Sequence, residues 1–89
     1  MTTNINQILA ERGKRYGKLL DVAVVAQGLK ATYRKELYGK LLAPDMYEAL
    51  DTIMSKVARI VVGDETYVDS WVDIAGYAKL VADRLEEEA

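Results

Sequence analysis

Two short acidic series are the first candidates for chemistry. Glu48, Asp51 and Ser55 are spaced by three and four residues, which sets them on one flank of a helix, and Asp69, Asp73, Gly76 and Tyr77 follow a similar rhythm. Carboxylates brought together from two helices, without imidazole or thiolate, form an oxygen-only site of the kind Mg²⁺ accepts. Gly76 would let a ligand or a second backbone come close. The same acids also have a plainer role, because negative charge is favoured near helix starts and Asp caps free amides there. Asp69 fits such a cap.

The second candidate is ERGKRYGK, residues 11–18, with four cationic side chains and two glycines in eight positions. Arg12, Lys14, Arg15 and Lys18 are of the types that bind phosphate, Arg through two parallel donors and Lys as a point charge. Tyr16 either stacks on a base or covers the edge of the core. Gly13 and Gly17 allow close backbone approach, yet equally mark two turns that leave the charges in solvent. The GxxxxGK[ST] spacing of a phosphate-binding Walker loop is absent. Lys30, Arg34 and Lys35 extend a basic strip along the following helix.

Other chemistry is excluded by composition. The 89 residues include no cysteine and no histidine, which removes disulfides, thiolate metal sites, the usual general base and the Ser-His-Asp arrangement. Twelve Lys and Arg stand against 14 Asp and Glu, a net charge of -2 that argues against duplex nucleic acid as partner. The charge is polarised, with eight of the 12 basic residues before Pro44 and only three acids there. No apolar run reaches membrane-spanning length and the first residues lack a hydrophobic signal region, so the expectation is a cytoplasmic protein without a membrane partner.

The elements that must hold these residues are helices. Apolar periodicity predicts a single all-α domain over 1–89, a small four-helix antiparallel bundle expected to be a homo-oligomer. The first helix begins at Thr3 or Asn4 and ends at Gly13. The second runs from about Lys18 to Tyr38 and stops at Gly39. Its stripe of Leu19, Val22, Ala23, Ala26, Leu29, Tyr33 and Leu37 is joined by Leu20, Val24 and Val25 off the stripe, which implies burial on two sides or an oligomer contact. The third runs from Pro44 to Gly63, with a core stripe of Met46, Leu50, Ile53, Met54, Val57, Ile60 and Val61. After the loop GDETYV, Asp69 caps a fourth helix that points Trp71, Ile74, Ala75, Ala78, Val81, Ala82 and Leu85 inward, and EEEA frays.

ERGKRYG, QGLK, EALDTIMSKVARIVVGD and DSWVDIAGYAKLVADRL, in that order, resemble a family of small phage-encoded proteins of unknown function, over Glu11 to Leu85. The resemblance implies a viral origin and a place in the host cytoplasm. Where the family pattern has an acid after YG, this chain has Lys18. More distantly the chain is similar to the all-α MazG-like nucleotide pyrophosphohydrolases, which hold Mg²⁺ against a nucleoside triphosphate with EExxE and ExxD motifs. Glu48 and Asp51 match ExxD, and DSWVDIAGYA is similar to the segment around the second acidic helix. That similarity implies Glu48, Asp51, Asp69 and Asp73 as Mg²⁺ ligands, with Lys56 or Lys14 neutralising phosphate. EExxE is absent, the acid run being Glu86 to Glu88. Its absence favours a non-catalytic module that requires no cofactor and binds a nucleotide-type ligand or a host protein, as an antagonist of host defence. A reduced Mg²⁺-dependent pyrophosphohydrolase and a purely structural oligomer are the alternatives.

Overall fold

The computed structural model describes residues 4–89. It is an all-α four-helix bundle, α1 (Ile5–Tyr16), α2 (Leu19–Glu36), α3 (Pro44–Val62) and α4 (Val68–Glu88), with no strand among the described residues. Several helix ends follow the local chemistry. The Asn4 side chain accepts from the Gln7 amide at 3.2 Å and caps α1. Pro44 opens α3, where its missing N–H costs nothing, and Asp45 lies in the first turn at the positive end of the dipole. Thr3, the other candidate cap, lies outside the described residues.

α3 is the central element. α2 and α4 both pack on it, and no Cα of α2 comes within 8 Å of one of α4. Against α2 the core is made of small residues: Val22 and Ala26 meet Ala58, with Val25 and Val62 packed around them. Polar ties fix the register. Asp51 accepts from Tyr33 Oη at 2.6 Å and from Arg34 Nη2 at 2.7 Å, joining α2 to α3. On the other side Arg84 grips Asp45 through two donors, one of them at 2.6 Å, and Lys56 pairs with Asp73 at 2.9 Å, joining α3 to α4.

Five expectations are corrected. α1 does not end at Gly13 but continues to Tyr16, because nothing crowds Gly13 and an isolated glycine costs a helix only about 1 kcal/mol. α4 begins at Val68 with Tyr67 in the capping position, so Asp69 lies inside the first turn and its carboxylate accepts from Tyr67 Oη at 2.8 Å. Trp71, expected in the core, is 53% exposed; its Nε1–H donates to the Glu65 carbonyl at 2.9 Å, which holds the indole at the loop edge. α2 is covered on one side only, leaving Leu20 74% and Val24 65% exposed, since α4 lies beyond α3 and cannot reach them. The end of α4 is helical through Glu88, with an Arg84–Glu88 pair at 3.0 Å across one turn.

Candidate functional site

The basic corner is built around a crossing of two backbones. Where α1 passes into α2, the chain runs over the α3–α4 connection, and the Asp64 amide donates to the Arg15 carbonyl at 2.7 Å. The crossing requires glycine on both strands. A Cβ at Gly63 would fall on the backbone of Arg15 and Tyr16. Gly17 has φ +83°, and a Cβ there would lie 2.6 Å from Val62 Cγ1. Gly17 of the motif therefore serves chain approach, whereas nothing crowds Gly13.

On this scaffold Tyr16 and Tyr67 meet edge to face, 5.8 Å between centroids. Three guanidinium groups lie on their rings: Arg59 at 4.7 Å and Arg12 at 5.7 Å from Tyr16, and Arg15 at 4.5 Å from Tyr67. Tyr16 thus neither stacks openly nor merely covers the core; it holds Arg12 and Arg59 in place.

The five cation and aromatic positions expected to act together are divided between two recesses. Arg12, Tyr16 and Lys18 line a cleft of about 530 Å³ that also takes in Arg59, with Leu9, Leu19 and Val22 as its apolar wall. No acid lines this cleft, and among the described residues no carboxylate lies within 4.0 Å of Arg12, Lys18 or Arg59. Lys14 and Arg15 line a second recess with Gln7, Glu11 and Asp64. There Arg15 has Glu11 at 3.8 Å, and Asp64 is held below the usual carboxylate range by hydrogen bonds from Thr66. Positions three or four apart share a helix face, which puts Arg12 with Tyr16 and Glu11 with Lys14 and Arg15.

Arg59 was not legible as a site residue. It sits near the end of α3, where a cation is ordinarily explained by the dipole. Gly63 a turn later reads locally only as the end of the helix, and the backbone it lies against is distant in sequence. The basic strip along α2 is also interrupted, because Arg34 is spent on Asp51.

The acidic flanks do not meet. Asp51 faces α2, bound by Tyr33 and Arg34; Asp73 pairs with Lys56; Asp69 is bound by Tyr67; Glu48 is exposed. Among the described residues no group of three or more acids is close enough to hold a metal ion. The four acids therefore do not fit the Mg²⁺ site that the MazG-like similarity implies. Lys56, engaged with Asp73, is not free to meet phosphate.

Fold and cleft together define a small all-α protein with an uncompensated cationic cleft. The chain belongs to the family described as a domain of unknown function, DUF6378, whose model matches residues 1–85. No curated protein and no solved structure matches it. No helix among the described residues is long and apolar enough to cross a membrane.

Proposed function

We propose that the protein is a non-catalytic binding module that takes a phosphorylated, nucleotide-type ligand in the cleft between α1, the start of α2 and Arg59. The carrying observation is that Arg12, Lys18 and Arg59 converge on one concave surface without a single acid. Three like charges at close quarters repel, and a phosphate group relieves that repulsion while accepting paired donors from arginine. The wall of Leu9, Leu19 and Val22 offers an apolar surface to a base or sugar. In keeping with the resemblance to phage proteins, such a module acts in the host cytoplasm on a nucleotide of the host.

The alternative of a reduced pyrophosphohydrolase has less support, because its acids are dispersed and engaged elsewhere. One experiment separates the readings. Nucleoside triphosphates and cyclic oligonucleotides are titrated into the protein by calorimetry, with and without Mg²⁺, and the mixtures are then assayed by mass spectrometry. The expected result is saturable binding that needs no Mg²⁺, weakens with salt and is lost in Arg59→Ala, with the ligand recovered intact. Consumption of the ligand in the presence of Mg²⁺ would replace binding with hydrolysis. Failure of every ligand to bind would reject the cleft as a nucleotide site and leave the docking of a host protein.

A further inference from the structure

The apolar pattern nominates many more residues than the chain buries. Among the described residues only Val22, Ala26, Ala49, Ala58 and Ser70 are buried. Met46, Leu50, Met54 and Val57, the central row of α3, are all left half-buried, and Val61 at its end is 67% exposed.

The placement of α2 and α4 explains this. At about 100° per residue, the α3 residues that meet α2 (Asp51 and Ala58) and those that meet α4 (Asp45 and Lys56) lie on opposite sides of the helix. The three helices therefore form an open layer with two broad faces. One carries Glu48, Thr52, Ser55 and Arg59. The other carries the row from Met46 to Val61 and has no charge in it. Asp73 and Arg84 reach α3 from the charged side. That leaves Trp71, Ala75, Ala78, Ala82 and Leu85 along the border of the apolar side, every one of them exposed. Their alternating spacing of four and three residues is the rhythm of a seam between helices.

The missing burial is enough for an obligate partner. The chain exposes 6693 Å², whereas a compact chain of its 9.9 kDa exposes about 5200 Å². The excess of about 1500 Å² exceeds the roughly 800 Å² that each partner contributes to a stable interface. Its radius of gyration is likewise 15.5 Å, against about 12 Å for a compact chain of this length.

We propose that a second copy of this chain covers the apolar face, forming a two-fold dimer whose centre is the α3 row from Met46 to Val61 and whose border is the α4 row from Trp71 to Leu85. An uncharged row can be placed against itself without opposing like charges, which suits an isologous contact. The dimer stands or falls independently of the nucleotide cleft.

The test is sedimentation of the full chain through the micromolar range, with three variants and the emission of Trp71. The expected mass is twice 9.9 kDa. Val61→Arg raises the dimer dissociation constant by about tenfold or more, because it carries an unpaired charge into the contact. Leu85→Arg does the same from the border and serves if circular dichroism shows Val61→Arg unfolded. Val24→Arg, on the side of α2 away from α3, leaves the mass unchanged. Trp71 emission moves to shorter wavelength as the dimer forms. A monomer throughout the range overturns the proposal. So does a dimer that dissociates in Val24→Arg but not in Val61→Arg or Leu85→Arg, or one that forms without a change in Trp71 emission.

Discussion

The guanidinium of Arg59 lies 4.7 Å from the centre of the Tyr16 ring, so a residue near the end of α3 is held by the last residue of α1. Arg12 approaches the same ring from its own helix. Such contacts are worth about 0.5 to 2 kcal/mol each, depending on solvation. That is enough to bias where a long side chain rests and too little to immobilise it. Tyr16 is therefore a positioning residue for two of the three cleft cations. Tyr16→Leu keeps an apolar side chain but loses the ring face, and should weaken nucleotide binding by about three- to thirtyfold, on the 1.4 kcal/mol-per-decade scale. The helical spectrum should be unchanged. Titration of the variant by calorimetry checks this, and equal affinity would remove Tyr16 from the account.

Gly63 and Gly13 should respond to the same substitution with opposite signs. Gly63→Ala drives a methyl group into the backbone of Arg15 and Tyr16, which has no side chain to swing aside, and should cost about 1 to 3 kcal/mol. Gly13→Ala fills open space inside a helix and should stabilise by about 0.5 to 1 kcal/mol. Urea denaturation of the two variants measures both. If Gly63→Ala were as stable as the parent chain, the backbone crossing at the corner would be wrong.

That pair also shows what the sequence could and could not convey. Asn4, Pro44 and Gly63 announce helix ends through chemistry that is local, and the structure follows them. Gly13 carries the same local signal as Gly63, but what decides between punctuation and a tolerated interior glycine is whether another backbone lies against it. Trp71 illustrates the same boundary. Periodicity assigns Trp71, Ala78 and Leu85 to one face of α4, but it cannot say whether that face meets another helix of the same chain. Arg59 joins the cleft only because α3 brings it back to a corner far away in sequence. The acids of α3 and α4 have helical spacing, and that spacing does not reveal that Asp51 turns to Arg34 while Asp73 turns to Lys56.

Acid should weaken the fold through the ties between helices. Asp51 is held below the usual carboxylate range chiefly by the hydrogen bond from Tyr33, then by Arg34; Asp45 is held down chiefly by Arg84. A carboxyl group whose pKa is lowered by folding contributes stability above its unfolded value of about 4 and loses it as pH falls through the folded value. The melting temperature should be level near neutrality and fall below about pH 4. Asp51→Asn should flatten that decline in part. An undiminished decline in the variant would mean that Asp51 takes no part in it.

Alkali should act on the same pair from the other partner. Burial, and then the hydrogen bond to Asp51, push the Tyr33 hydroxyl up to about 12. Folding thus favours the neutral phenol, and its contribution is complete below about pH 10 and lost as pH rises towards the folded value. Tyr33→Phe should flatten this alkaline limb. Ultraviolet titration of the six tyrosines should show a late ionisation that Tyr33→Phe lacks, beside that of Tyr67, which its hydrogen bond to Asp69 also raises.

The central claim, a cationic cleft that takes a phosphorylated nucleotide, is tested most directly by following the backbone amides by nuclear magnetic resonance as a bound nucleoside triphosphate or cyclic oligonucleotide is added. Saturable shifts are expected, concentrated at Arg12, Gly17, Lys18, Leu19 and Arg59. They should be lost in a variant with Arg12 and Lys18 both replaced by alanine and retained in Lys14→Ala, whose side chain lies in the neighbouring recess. Shifts centred instead on Glu48, Asp51, Asp69 and Asp73, or shifts equally strong in the double variant, would contradict it.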